Sequence, residues 1–178
     1  MPWYRDAAKH PLKHNTKAGF MVHPVRGLVV HITDTHQTLG SLFNFFNNPH
    51  QEKPLRSAHF GVAKNGEIWQ FADTNDVTFA VDGVFGGDGV DNHWVSVENV
   101  AKLGEPLTWD QVDTLAMLLA WLHHTEGVPL SLAEKKAERG VGYHRMFLPG
   151  GGKGHPCPGD KVIEQRQAII ETCSAAYV

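Results

Sequence analysis

Two apolar runs, His59 to Ala63 and Glu67 to Phe71, meet across Lys64-Asn65-Gly66. An Asn-Gly pair between such runs is the strongest short-range hairpin signal, because both residue types accept the positive φ that a tight turn needs. The chain therefore carries an antiparallel pair near residues 59–71, and its other elements must be compatible with a sheet.

Two further strand patterns fit that requirement. In GLVVHIT, Gly27 to Thr33, Leu28, Val30 and Ile32 alternate with Val29, His31 and Thr33, so the two sets face opposite sides. In WVSVEN, Trp94 to Asn99, Val95 and Val97 share one face, and Ser96 and Glu98 the other. Val77 to Val81 reads as one more strand. Helical patterns lie between and after the strands. Thr35 or Thr38 opens a short helix carrying Leu39, Leu42, Phe43 and Phe46, ending near Asn48-Pro49. Thr108 and Gln111 form a capping box ahead of the stripe Val112, Leu115, Leu119 and Leu122, which Gly127 stops. Leu132 to Glu138 suggests a further short helix, and Asp160 to Thr172 a longer one with Val162, Ile163, Ile169 and Ile170 turned inward. Asp82 to His93, with four glycines and three aspartates, reads as a long loop. The polar first 25 residues read as an N-terminal surface extension to a domain spanning 26–175. Strands interspersed with about three main helices give an α/β single domain with a mixed central sheet. A chain of 178 residues is long enough to bury one sizeable core.

The charge pattern excludes some functions. Net charge is −3, and no basic cluster exceeds Lys135-Lys136, so a general nucleic-acid binder is not expected. No run of 18 apolar residues is present, so no membrane span is expected. The first 20 residues lack the apolar stretch of a signal peptide.

The chemistry-bearing residues are histidines and one thiol. In GKGHPCPGD, Gly152 to Asp160, Cys157 sits between two prolines. It could be a structural thiol, half of a disulfide, a nucleophile or a metal ligand. The second cysteine, Cys173, lies beyond a helix of roughly 20 Å, whereas bridged Cα atoms lie within about 7 Å. A disulfide is therefore disfavoured, and Cys173 reads as a small apolar filler. His31 at the end of a strand, His144 in GVGYHRM and Cys157 supply the N and S donors that zinc takes in a catalytic site with three protein ligands. The chain has 12 histidines, so spacing alone does not single out these two.

Taken in order, VVHITD, SAHFGVAKNGEIWQF, WVSVEN, GYHRMF and HPCPGD resemble the zinc-dependent N-acetylmuramoyl-L-alanine amidases of the type 2 family. That family includes phage T7 lysozyme and the catalytic peptidoglycan recognition proteins. The similarity runs from about Gly27 to Ile170. It implies a peptidoglycan recognition protein / T7 lysozyme-like fold and Zn2+ held by His31, His144 and Cys157. It also implies that Glu98 is a general base that later donates its proton to the departing amine. At two positions the chain departs from the T7 lysozyme-like branch. His155 stands where that branch has a lysine thought to stabilise the oxyanion, and Ala58 stands where it has a tyrosine. His155 is then expected to take over the oxyanion role.

The function so implied is hydrolysis of the amide between N-acetylmuramic acid and L-alanine of the stem peptide. A non-catalytic peptidoglycan-binding module or an interaction protein on the same fold is the alternative. A cysteine protease with Cys157 as nucleophile and His144 or His155 as base is a third reading. The expected partner is peptidoglycan or a muropeptide, with a cognate immunity protein if the chain is a secreted effector, and a monomer is expected. Without a leader, delivery to the wall would be through a holin, as for an endolysin, or by contact-dependent secretion. Cytoplasmic recycling of wall fragments also fits.

Overall fold

In the computed structural model, which describes residues 3–35, 37–52, 55–81, 90–148 and 156–178, the strands are β1 (Ala8–Lys9), β2 (Thr16–Lys17), β3 (Gly27–Ile32), β4 (Phe60–Val62), β5 (Ile68–Gln70), β6 (Val77–Thr78), β7 (Trp94–Asn99) and β8 (Gly140–Tyr143). The α-helices are α1 (Leu39–Phe46), α2 (Trp109–Glu126) and α3 (Asp160–Ala176). The Asn-Gly hairpin joins β4 to β5, with Phe60 opposite Gln70 and Val62 opposite Ile68. Its turn closes through Gly66 N–H to Ala63 O at 3.0 Å, and Gly66 takes a φ of 80° that an L side chain resists.

The main sheet has the order β1-β5-β4-β7-β3-β8. β4 and β5 are antiparallel, whereas β4, β7, β3 and β8 run parallel to one another. The sheet is therefore mixed, with a parallel centre. β3 is buried along its whole length, as a parallel strand covered on both faces must be. Leu28, Val30, Val95 and Val97 pack with Leu115, Leu119 and Leu122 of α2 and Val162 and Ile169 of α3 into the principal core. On the opposite face, Leu42 and Phe46 of α1 cover Ala58 and Phe71. β3 and β8 approach closely: a Cβ on Gly27 would lie 1.8 Å from the Gly140 carbonyl oxygen.

Thr38, not Thr35, caps α1, accepting from Ser41 N–H at 3.1 Å. The Thr108–Gln111 capping box forms with both of its hydrogen bonds, and Gly127 ends α2 in the left-handed region at φ 63°. α3 continues four residues past the expected Thr172, to Ala176. Strand β6 is shorter than Val77–Val81 and pairs with β2 outside the main sheet.

The expected helix at Leu132–Glu138 is absent. Leu132 bridges Val141, Ala133 N–H donates to Val141 O at 3.0 Å, and Val141 N–H donates to Ser131 O at 2.8 Å. The open edge of β8 claims these backbone groups, and edge pairing outweighs local helical preference. The first 25 residues also do more than wrap the surface. β1 extends the sheet beside β5, and Tyr4, Ala7, Met21 and Val25 enter the principal core. Of the glycine-rich loop 82–93, residues 82–89 lie outside the described residues, and Asp91–His93 form a single 3-10 turn leading into β7.

Candidate metal centre

Parallel neighbours bring the chemistry to one edge. β3 and β7 pair with His31 directly opposite Glu98. Both side chains turn away from the α2–α3 core, because their strand neighbours Val30, Ile32 and Val97 are in it. On the other side of β3, β8 ends at Tyr143 and His144 follows at once. Cys157 sits in the turn before α3. The carboxyl ends of β3, β7 and β8 thus converge where open parallel sheets commonly place their sites.

His31, His144 and Cys157 come together with their donor atoms all within 4.8 Å of one another. His31 Nδ1 lies 3.1 Å from His144 Nδ1 and 4.0 Å from Cys157 Sγ. Tetrahedral zinc with its usual bond lengths separates two nitrogens by about 3.3 Å, and nitrogen from sulfur by about 3.6 Å. The two separations from His31 come within a few tenths of an ångström of those values, and all three donors lie within 4.8 Å of one another. The surroundings prepare them. His144 Nε2 lies 3.3 Å from Val81 O, a carbonyl that can only accept. The proton therefore sits on Nε2 and the Nδ1 lone pair faces the other donors, as when a histidine ligand gives its second ring N–H to a carbonyl that fixes its tautomer. Ile32 N–H donates to Cys157 Sγ at 3.4 Å. Asn99 Nδ2 donates to His31 O at 2.9 Å and pins the strand that carries His31.

The electrostatics are compatible with a bound cation. Burial pushes the Cys157 thiol up, and the neighbouring Glu98 adds to that shift. Burial likewise raises the Glu98 carboxyl to about 8, with the Arg56 guanidinium opposing. Glu98 Oε2 is buried and has no hydrogen-bond partner among the described residues. A desolvated thiol, two imidazoles and an orphaned carboxyl oxygen form a costly cluster by themselves. A dication would favour both the thiolate and the carboxylate.

A cavity of about 560 Å³ opens over the cluster. Glu98, His144 and Cys157 line it at the sheet, Asp34 and Arg56 are the other charged groups among the described residues, and Leu42, Phe45, Phe46, Phe79 and Leu148 form an apolar wall. His31, 1 % exposed, lies beneath.

Of the sequence candidates, His155 lies outside the described residues. His59 is structural: its Nε2–H donates to Asp76 O at 2.9 Å, and Nδ1 accepts from Ser96 N–H at 3.1 Å. Burial lowers its pKa to about 4. Trp94 is a core residue, and Trp69 packs beside the α1 cluster. Cys173 is buried and Cys157 is not bridged to it. Arg56, Asp34 and Arg166 were not singled out by sequence reasoning. Only Arg166 carries a visible signal, a charged residue at helical spacing within the apolar stripe Val162, Ile169, Ile170 and Cys173.

Three neighbouring N/S donors and a buried carboxyl oxygen at the base of a cavity on a mixed α/β sheet form a candidate hydrolase site. The family can be stated: the N-acetylmuramoyl-L-alanine amidase model matches residues 21–160, and the chain belongs to that family. Among curated proteins no sequence match is found. Among solved structures, the fold is similar to that of a selenomethionine derivative of AmpD, at 16% identity and TM-score 0.70, with 95% of this chain and 96% of that one covered. It is also similar to the endolysin amidase LysCS of Clostridium intestinale, at 14% identity and TM-score 0.64, covering 96% and 99%. Peptidoglycan recognition proteins are similar in fold too. One of this class, protein LE in complex with tracheal cytotoxin, matches at 13% identity and TM-score 0.64, covering 93% and 94%.

Proposed function

We propose that this protein is a zinc-dependent N-acetylmuramoyl-L-alanine amidase, acting on the amide between N-acetylmuramic acid and L-alanine of the stem peptide in peptidoglycan or a muropeptide. One observation carries the reading: the donor atoms of His31, His144 and Cys157 lie within 4.8 Å of one another, near Glu98, whose buried Oε2 has no hydrogen-bond partner among the described residues. Family membership and the amidases among its structural neighbours support it.

His31, His144 and Cys157 would hold Zn2+. When bound, zinc supplies a Lewis acid that polarises a carbonyl oxygen and lowers the pKa of water. The Glu98 carboxylate takes the proton of the attacking water and returns it to the nitrogen of the departing L-alanine. A carboxyl with one buried oxygen that has no hydrogen-bond partner among the described residues is placed to take up and return a proton. The apolar wall from Leu42 to Leu148 limits competing water. His155, two residues before Cys157 in the sequence, is assigned the oxyanion role.

The test is Glu98→Ala. The variant should keep its zinc, measured by plasma mass spectrometry, and release no stem peptide from purified peptidoglycan. Undiminished release would remove Glu98 from the mechanism.

A further inference from the structure

Sheet register fixes His31 against Glu98, but it does not fix His144 against Cys157. His144 follows β8, whereas Cys157 precedes α3 by three residues. The spacing between these two donors depends on how α3 is held against β8, and one buried side chain ties the two elements directly. Arg166 of α3 is 2 % exposed. Its Nη1 donates to Val141 O of β8 at 3.0 Å and to Ala133 O at 2.9 Å. Its Nε donates to Ile163 O at 3.0 Å, and its Nη2 pairs with Glu134 Oε1 at 2.6 Å. The guanidinium carbon stands 4.4 Å from the ring centre of Tyr143, the last residue of β8 and the neighbour of His144. A second tie runs in parallel. Arg145, next after His144, forms an ion pair with Asp160, the first residue of α3.

A buried guanidinium is an expensive way to pack a helix, since its desolvation is offset only by complete pairing. The positions around it on α3, Val162, Ile169 and Ile170, are apolar and buried, and an apolar residue at 166 would serve packing alone. What the guanidinium adds is direction. Its rigid planar fork fixes the β8 carbonyl, the Tyr143 ring and the backbone of α3 in one arrangement. We infer that Arg166 is a positioning residue for the metal centre, setting the separation of His144 and Cys157 and thereby the affinity for zinc, beyond any share it has in stability. The inference rests on the proposed three-ligand zinc site.

The experiment is zinc affinity of the full chain, by competition with a chromophoric chelator, for wild type, Arg166→Met, Arg166→Lys and Ile169→Ala. Ile169→Ala truncates the same helix in the core and reports what looser packing of α3 does to the site. Arg166→Met should bind zinc about 10- to 100-fold more weakly, the usual cost of losing support behind a ligand, while its far-ultraviolet circular dichroism matches wild type. Ile169→Ala should lower the urea midpoint at least as much yet change zinc affinity less than about threefold. Should Arg166→Met not fold, Arg166→Lys keeps the charge without the fork and should still lose about tenfold. Wild-type affinity in whichever arginine variant folds, or an equal loss in Ile169→Ala, overturns the inference and leaves the zinc site standing. A wild-type chain that binds no zinc overturns both.

Discussion

Replacing Glu98 by glutamine should stabilise the metal-free protein and abolish hydrolysis at the same time. Burial raises the carboxyl from 4.5 to about 8, and Oε2 accepts no hydrogen bond among the described residues. The folded chain therefore keeps a proton that the unfolded chain releases above pH 4.5. The contribution of this group is full below pH 4.5 and is lost as the pH climbs to about 8. At about 1.4 kcal/mol per pH unit, the wild type gives up about 3 kcal/mol at pH 7 and about 5 kcal/mol above pH 8, relative to a side chain that never ionises. Glutamine keeps the shape and carries no charge. The assay is urea unfolding of chelator-stripped wild type and Glu98→Gln at pH 4.5, 7 and 8.5. The two should nearly coincide at the lowest pH and separate as pH rises, with the variant higher. Zinc should narrow the gap, because a cation favours the ionised carboxyl. A gap independent of pH, or a wild type more stable than the variant at pH 7, would refute the claim that Glu98 is desolvated in the fold.

His59 titrates in the opposite sense. Its pKa falls from 6.5 to about 4, so the stability it supports is complete above pH 6.5 and drops by about 3 kcal/mol as pH falls to 4; its imidazole resonance should titrate near 4, and a midpoint near 6.5 would contradict the buried assignment. Gly27→Ala puts a Cβ 1.8 Å from the Gly140 carbonyl oxygen, a clash between two backbones that no rotamer relieves, and should cost about 3 kcal/mol or more; a wild-type melting temperature would rule out the β3–β8 register. Thr108→Ala removes the acceptor for Gln111 N–H and should lower the urea midpoint by the equivalent of about 1 kcal/mol with an unchanged m-value.

What the sequence revealed was the local half of the site. Alternation in Gly27–Ile32 and Trp94–Asn99 put His31 on the face away from Leu28, Val30 and Ile32, and Glu98 on the face away from Val95 and Val97, because side-chain period in a strand is a local property. That the two residues lie opposite each other is a matter of register between strands more than sixty residues apart, and neither strand encodes it alone. The motif around Cys157 pointed to a ligand through family resemblance. Its proximity to His144 depends on α3 meeting β8 through Arg166. Periodicity puts residue 166 on the buried stripe of the helix, but does not say which backbone carbonyls its guanidinium meets there. The Leu132–Glu138 helix failed for a related reason: its backbone groups serve the edge of β8. Strand β1 pairs over only Ala8 and Lys9, too short for any alternation to register, so the first 25 residues read as surface.

The most direct test of the account is digestion of purified peptidoglycan by the zinc-loaded chain, with mass analysis of the products and a chelator control. The account predicts stem peptides with a free L-alanine amino terminus and glycan bearing free lactyl carboxylates. Chelation should stop the release, zinc should restore it, and Cys157→Ala or His144→Ala should bind no zinc and release nothing. Cleavage of the glycan with the amide intact, or amide cleavage undiminished after zinc has been removed, would contradict it.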